Sequence, residues 1–186
     1  MRIAIYGGSF NPPHVGHAMV AAWLHWTHRA DEVWLVPTRS HPFDKPMAPF
    51  PFRVRLCEAL AGAVGEWVMV STIEGELDEP SYTVDTLRAL ARRHPGYQFR
   101  LVLGSDNLDQ LHAWKDWDGI EAEFAPIVVG RQGYPTPPGA VDFPGVSSTD
   151  VRRRLRAGEP VDHLVPAAVL ALLGDAYRSG PSPTTP

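Results

Sequence analysis

The chain reads as an α/β protein: a doubly wound parallel sheet with helices on both faces, closed by a C-terminal helical pair. Three observations predict this. Short apolar runs rich in β-branched residues alternate with longer amphipathic stretches, the pattern of strands joined by crossover helices. The first run, Arg2-Ile3-Ala4-Ile5-Tyr6, breaks at once into Gly7-Gly8-Ser9-Phe10-Asn11-Pro12-Pro13-His14-Val15-Gly16-His17. A strand that turns through paired glycines into a helix start suits a parallel sheet with a ligand at its carboxyl edge. Finally, the last two helical stretches, 148–157 and 166–177, are followed by no strand.

Taken in order, strands are expected at 3–6, 33–37, 67–72, 99–104 and 126–130, with helices at 16–28, 52–64, 82–94 and 105–124 between and after them. The stretch 132–145 is rich in Pro and Gly and reads as a surface loop. Residues 179–186, Ser-Gly-Pro-Ser-Pro-Thr-Thr-Pro, have the composition of a disordered tail. With 186 residues and no internal repeat, one domain over 1–178 is expected.

Composition narrows the partners. A formal net charge of −4 argues against a general polyanion binder, so nucleic acid is not expected and any phosphate site must come from locally clustered bases. The single cysteine, Cys57, rules out an intrachain disulfide framework and suits a reducing compartment. It lies in an apolar helical run and reads as core. No run reaches the roughly 18 apolar residues of a bilayer span, and the start does not resemble a secretory signal. A soluble cytoplasmic protein is expected.

Two motifs carry chemistry. At the first, glycines let the backbone approach an anion closely, and a helix N-terminus adds partial positive charge. His14 and His17, three apart, face one space at the helix mouth. As a metal half-site this pair lacks a third ligand at suitable spacing. The second motif is Val146-Ser147-Ser148-Thr149-Asp150-Val151-Arg152. Hydroxyls here can cap a helix, but capping does not explain Arg152, Arg153, Arg154 and Arg156 crowding first turns where the dipole disfavours cations. A bound anion at that N-terminus would offset the conflict, with Arg152 in reach of a phosphate at Ser148 and Thr149. The other arginines are expected to be solvated.

Together, Gly8-Ser9-Phe10-x-Pro12, His14-Val15-Gly16-His17 and Ser147-Ser148-Thr149-x-x-Arg152 resemble the nucleotidyltransferase superfamily, whose fold is Rossmann-like. Three further stretches narrow the resemblance to the bacterial nicotinate-nucleotide adenylyltransferases: Pro42-Phe43-Asp44-Lys45 after Pro37, Pro80-Ser81-Tyr82-Thr83-Val84-Asp85-Thr86-Leu87, and Gly104-x-Asp106 followed by Trp114. The C-terminal Gly158-x-Pro160 and Leu164-Val165-Pro166 also fit. The resemblance covers about residues 1 to 178.

It implies adenylyl transfer from ATP to nicotinate mononucleotide, giving nicotinate adenine dinucleotide and pyrophosphate in NAD synthesis, by in-line attack without a covalent intermediate. The enzyme then contributes position and charge rather than a nucleophile. By resemblance, Gly7, Gly8, Ser9 and Phe10 hold the nucleotide, while His14 and His17 donate to phosphate oxygens. Arg152 with Ser148 and Thr149 grips the leaving pyrophosphate, and Gly104 and Asp106 meet the adenosine ribose. A polyphosphate beside the histidines should raise their pKa. Mg²⁺ is expected on the phosphates with few protein ligands. For the acceptor, Trp114 offers a stacking face, with Trp117 the alternative. Tyr82 and Thr83 meet the nicotinate carboxylate, and Lys45 the mononucleotide phosphate. The chain departs from its relatives at Asn11, where many carry Asp, and at Lys115, where an aromatic is common. Nicotinamide mononucleotide and phosphopantetheine stand as alternative acceptors. A silent nucleotide-binding regulator stands as the alternative of another class.

Overall fold

The computed structural model describes residues 1–40 and 46–174. Six strands, β1 (Arg2–Gly8), β2 (Glu32–Pro37), β3 (Val68–Val70), β4 (Gln98–Gly104), β5 (Ile127–Arg131) and β6 (Asp142–Phe143), form one sheet in the order β3-β2-β1-β4-β5-β6. Every pairing is parallel. Six α-helices accompany them: α1 (Val15–Trp26), α2 (Phe50–Val64), α3 (Thr83–Arg93), α4 (Trp117–Phe124), α5 (Ser148–Ala157) and α6 (Ala167–Leu173). Short 3-10 segments lie at Ile73–Gly75 and Ser105–Ala113.

Strand alternation divides the core into two layers, because successive side chains point to opposite faces. Ala4, Val33 and Leu35 pack with Val20 and Leu24 of α1, Leu56, Cys57 and Leu60 of α2, Val151 of α5 and Val169 of α6. Ile3, Ile5, Val36 and Leu101 pack on the other face with Val84, Leu87 and Leu90 of α3 and Ile120 and Phe124 of α4. Each fully buried Leu or Ile contributes about 1.5–3 kcal/mol, so both helical layers are fixed to the sheet.

The order reverses at β1, which lies between β2 and β4. The β1–β4 register stops at Ile5 and Leu101, while β1 continues alongside β2 through Gly8. From Val102 onward β4 pairs with β5 instead. The sheet therefore opens between Tyr6–Gly8 and Val102–Gly104, which is where doubly wound sheets bind ligands.

Four expectations need correction. The paired glycines do not turn, since Gly7 and Gly8 are still strand. The turn falls at Phe10, at φ 43°, and at the cis Asn11–Pro12 bond. The stretch 105–124 is not one helix. Ser, Asp and Asn at its start compete for backbone hydrogen bonds, and Asn107 Nδ2 indeed donates to the Gly104 carbonyl at 3.4 Å. Asp116 then adopts φ 52° and folds its carboxylate over Gly119, where a Cβ would lie 2.6 Å from it. Thirdly, the loop at 132–145 contains a two-residue strand, β6, too short to show a period. Finally, β3 is Val68–Val70 rather than 67–72. The expected helix at 166–177 is seen as Ala167–Leu173; its end and the expected tail lie outside the described residues.

Candidate active site

The opening in the sheet is the mouth of a cleft of about 780 Å³. Its lining includes Gly7, Gly8, Ser9, Phe10, His14 and His17 from the β1–α1 junction and Gly104 and Asp106 from the end of β4. Ser148, Thr149 and Arg152 come from α5, and Tyr82, Thr83 and Trp114 from the opposite wall. The cleft thus brings together every candidate residue in the described segments. Lys45 lies outside the described residues.

The floor is the turn after β1. A Cβ on Gly7 would meet nothing within 4 Å, so that face of the strand is left open to the cleft. The carbonyls of the turn are occupied from below and behind. Thr38 N–H donates to Gly8 at 2.9 Å, Arg53 Nη1 to Ser9 at 2.8 Å, Arg152 Nη1 to Asn11 at 2.6 Å and Ser148 Oγ to Pro12 at 2.8 Å. Asn11 Oδ1 accepts from Ala48 N–H at 3.2 Å, so this residue works as an acceptor without the charge of an aspartate.

His14 is the N-cap residue of α1, and its backbone N–H donates to His17 Nδ1 at 3.1 Å. That bond leaves Nε2 as the protonated nitrogen of neutral His17. The two rings lie 3.8 Å apart between centroids, and Tyr6 and Phe10 flank His17 at 5.7 and 4.9 Å. Gly16 makes room for this arrangement, since a Cβ there would sit 3.0 Å from His14 Nδ1. His14 is buried, and its Nδ1 has no hydrogen-bond partner among the described residues. Burial and the nearby Arg131 hold its pKa down to about 4. Burial, His14 and Arg131 hold His17 well below the ordinary value. The free site therefore keeps both imidazoles neutral at pH 7.

On α5, the capping residue is Ser147, whose hydroxyl accepts from Asp150 N–H at 3.1 Å. Ser148 instead ties the helix to the turn, and Thr149 Oγ1 accepts from Arg152 at 3.3 Å. Two of the other arginines are ion-paired as well as solvated, Arg153 with Asp150 and Glu159, each at 2.9 Å, and Arg154 with Asp150 at 2.8 Å, while Arg156 is exposed as expected. Arg154 and Arg156 lie in the last turn, where the dipole favours cations. Arg152 is the arginine of this helix that lines the cleft.

Asp106 carries an ion pair that sequence reasoning missed. Arg131, at the end of β5, reaches its carboxylate at 2.5 Å, and Arg131 N–H donates to Ser105 Oγ at 3.0 Å. Arg131 lies in the cleft beside both histidines. Its position at the carboxyl end of a parallel strand was the available signal, hidden because the strand was expected to end at 130. Two buried residues were also missed, Arg53 and Glu74; Arg53 lies within the apolar pattern of α2, and Glu74 lies in a three-residue 3-10 turn too short to show a period.

Across the cleft, Trp114 is part of the lining, and Trp117 packs behind it, its ring at 88° and 5.9 Å. Tyr82 is the N-cap of α3, whose first turn has no side-chain cap and so presents partial positive charge. Lys115 Nζ lies 4.7 Å over the Tyr82 ring and 2.8 Å from Asp85.

The family model described as Cytidylyltransferase-like matches residues 5–154. A probable nicotinate-nucleotide adenylyltransferase of Anaeromyxobacter sp. (strain K) is 47% identical over 172 residues, covering 91% of this chain and 91% of the relative. One of the same name from Myxococcus xanthus (strain DK1622) is 45% identical over 172 residues, covering 92% and 90%. Among solved structures, Plasmodium falciparum nicotinic acid mononucleotide adenylyltransferase complexed with NaAD superposes with a TM-score of 0.79 at 20% identity, covering 95% of this chain and 97% of that one. At that identity the likeness speaks for the fold.

Proposed function

Because the chain belongs to the Cytidylyltransferase-like family, among its nicotinate-nucleotide adenylyltransferases, we propose that its cleft transfers the adenylyl group of ATP to nicotinate mononucleotide. The products are nicotinate adenine dinucleotide and pyrophosphate, a step of NAD biosynthesis. The observation that carries this reading is one cleft with a phosphate-type floor, His14, His17 and Arg152, facing an aromatic wall with a helix N-terminus, Trp114 and Tyr82–Thr83.

An oxygen of the acceptor phosphate attacks the α-phosphorus in line, forming one P–O bond as the bond to the bridging oxygen of pyrophosphate breaks. No side chain need become adenylylated, and the residues act by position and charge. His17 donates through Nε2 to a phosphate oxygen. Arg152 and Arg131 supply positive charge around the leaving pyrophosphate, and His14 lines the same space as an imidazole that is neutral in the free site. Asp106 accepts from ribose hydroxyls at the end of β4, released from Arg131 as that guanidinium turns to phosphate. Trp114 stacks on the pyridinium ring, and the uncapped start of α3 favours a carboxylate over an amide. Among the described residues no three His, Cys, Asp or Glu side chains group around a metal position. Mg²⁺ bound to the phosphates of ATP would neutralise their charge, with few protein ligands.

No helix among the described residues is long and apolar enough to cross a membrane. A cytoplasmic enzyme with small-molecule partners and no nucleic acid fits a single buried cysteine and the net charge of −4.

The test is pyrophosphate release from ATP and Mg²⁺ with nicotinate mononucleotide, nicotinamide mononucleotide and phosphopantetheine in parallel. A strong preference for the first is expected, and His17→Ala should abolish turnover with the fold intact. Turnover with phosphopantetheine alone, or His17→Ala activity within a few-fold of wild type, would sink the reading.

A further inference from the structure

Glu74 is a buried carboxylate on the cleft wall with no part in the transfer described above. It follows β3 in the 3-10 turn Ile73–Gly75. Its two oxygens are divided between hydroxyls on either side of Tyr82–Thr83: Ser81 Oγ donates to Oε2, and Thr86 Oγ1 donates to Oε1. Arg39 N–H, from the loop after β2, approaches Oε2 at 3.5 Å. The Arg39 side chain spans the same turn, donating to the Gly75 carbonyl at 3.1 Å and pairing with Glu79 at 2.7 Å. One carboxylate therefore ties β2, the 3-10 turn and the start of α3 to a common point.

We propose that Glu74 is the positioning residue of the acceptor wall, setting both the height of Tyr82–Thr83 over the cleft and the hydrogen-bond polarity of that wall. The second part follows from proton counting. A hydroxyl has a single proton, and those of Ser81 and Thr86 are turned to Glu74. Towards the cleft, these two lining groups offer lone pairs. They can accept from an amide or a hydroxyl but cannot donate to a carboxylate. Donation to a nicotinate carboxylate is thereby left to the backbone at the start of α3, whose position Glu74 also controls. Glu74 acts through Ser81 and Thr86 and does not itself touch the acceptor. This inference rests on the proposed pyridine-nucleotide acceptor for its specificity arm, but not for its positional arm.

The two arms are measured separately. In the free enzyme, hydrogen–deuterium exchange over residues 79–87 should be about tenfold faster in Glu74→Ala than in wild type, with α1 and α5 unchanged. In steady state, Glu74→Ala should raise the Michaelis constant for nicotinate mononucleotide about ten- to hundredfold, the loss of hydrogen bonds to a charged group, and that for ATP less than twofold. Glu74→Gln keeps one acceptor and turns an N–H donor towards the other hydroxyl; at Ser81 this frees the proton for the cleft, whereas Thr86 Oγ1 has the Tyr82 carbonyl at 3.3 Å as its other acceptor. The variant should partly rescue the Michaelis constant. It should also shift the ratio of kcat/KM for nicotinate over nicotinamide mononucleotide two- to tenfold further towards the carboxylate. A purely structural role would not move that ratio. Unchanged exchange over 79–87 in Glu74→Ala, or an unchanged ratio in Glu74→Gln, would overturn the proposal. If wild type turns over neither pyridine mononucleotide while the exchange effect is present, the acceptor reading fails and the positional role stands. Should Glu74→Ala not fold, Ser81→Ala removes one of the two ties, and unchanged exchange there would equally overturn it.

Discussion

The stacked histidines make the protein's stability depend on pH over a defined window. In the folded chain His14 is held down to about 4 by burial and by Arg131, against about 6.5 for an unfolded histidine. As pH falls from 6.5 towards 4, the unfolded chain takes up a proton that the folded chain refuses, so stability is lost over that interval and levels off below it. For His14 alone the loss between pH 7.5 and 4.5 is on the order of 2–3 kcal/mol. His17 is shifted in the same direction and adds to it. Against a typical total of about 5–15 kcal/mol, this is a substantial share, and for a chain of this size it corresponds to a fall in Tm of roughly 5–10 °C. The comparison is with a His14→Gln/His17→Asn double variant, in which Asn Oδ1 can take over the bond that His17 Nδ1 accepts from His14 N–H. Carboxylates held down by arginine partners, such as Asp31, Glu76 and Asp150, are common to both proteins and cancel in the difference. Urea midpoints measured from pH 7.5 to 4.5 should fall markedly more in wild type. Parallel curves would refute the claim that the free site holds neutral histidines against protonation.

Three further outcomes are expected. Trp114→Ala should raise the Michaelis constant for the pyridine mononucleotide about three- to thirtyfold, the scale of a ring stack on a cation, and leave that for ATP unchanged; steady-state kinetics with each substrate varied separate the two. Arg131→Met should lower kcat/KM for ATP about ten- to hundredfold. It should also move the His14 titration upwards in an NMR pH series, because Arg131 is one of the two causes of its depression. Gly16→Ala places a Cβ 3.0 Å from His14 Nδ1 and should reduce turnover through displacement of that ring, with secondary structure by circular dichroism unaltered.

What was legible in the sequence was the part carried by local pattern. Alternating runs such as Ile3-Ala4-Ile5 report both faces of a buried strand, and the spacing of His14 and His17 reports one face of a helix start. The limits of α5 were readable at 148–157 because Ser147 caps one end and Gly158, at φ 68°, closes the other. Features made by distant contacts were hidden. The pairing of Arg131 with Asp106 joins residues 25 apart, and Glu74 takes its meaning from Ser81 and Thr86. Strand β6 exists because its two residues fall beside Gly130 and Arg131, and nothing in Asp142-Phe143 itself announces a strand. The break at Asp116 was obscured because apolar residues continue on both sides of it.

The turn after β1 explains why these distant contacts matter to an anion site. A backbone turn brings carbonyl oxygens as well as amides to a ligand, and carbonyls repel phosphate. Here the carbonyls of Gly8, Ser9, Asn11 and Pro12 are each engaged by a donor, two of them by the arginines Arg53 and Arg152. Those donors come from the loop after β2, from α2 and from α5, elements separated by up to 141 residues from the turn. Glycines at 7 and 8 leave open space, but the polarity of the floor is set by what holds the carbonyls. The Gly-rich motif and the Ser-Ser-Thr-x-x-Arg helix are therefore halves of one device. The second half turns the first into a surface that attracts negative charge, and Arg152 serves the turn and the cleft with the same guanidinium.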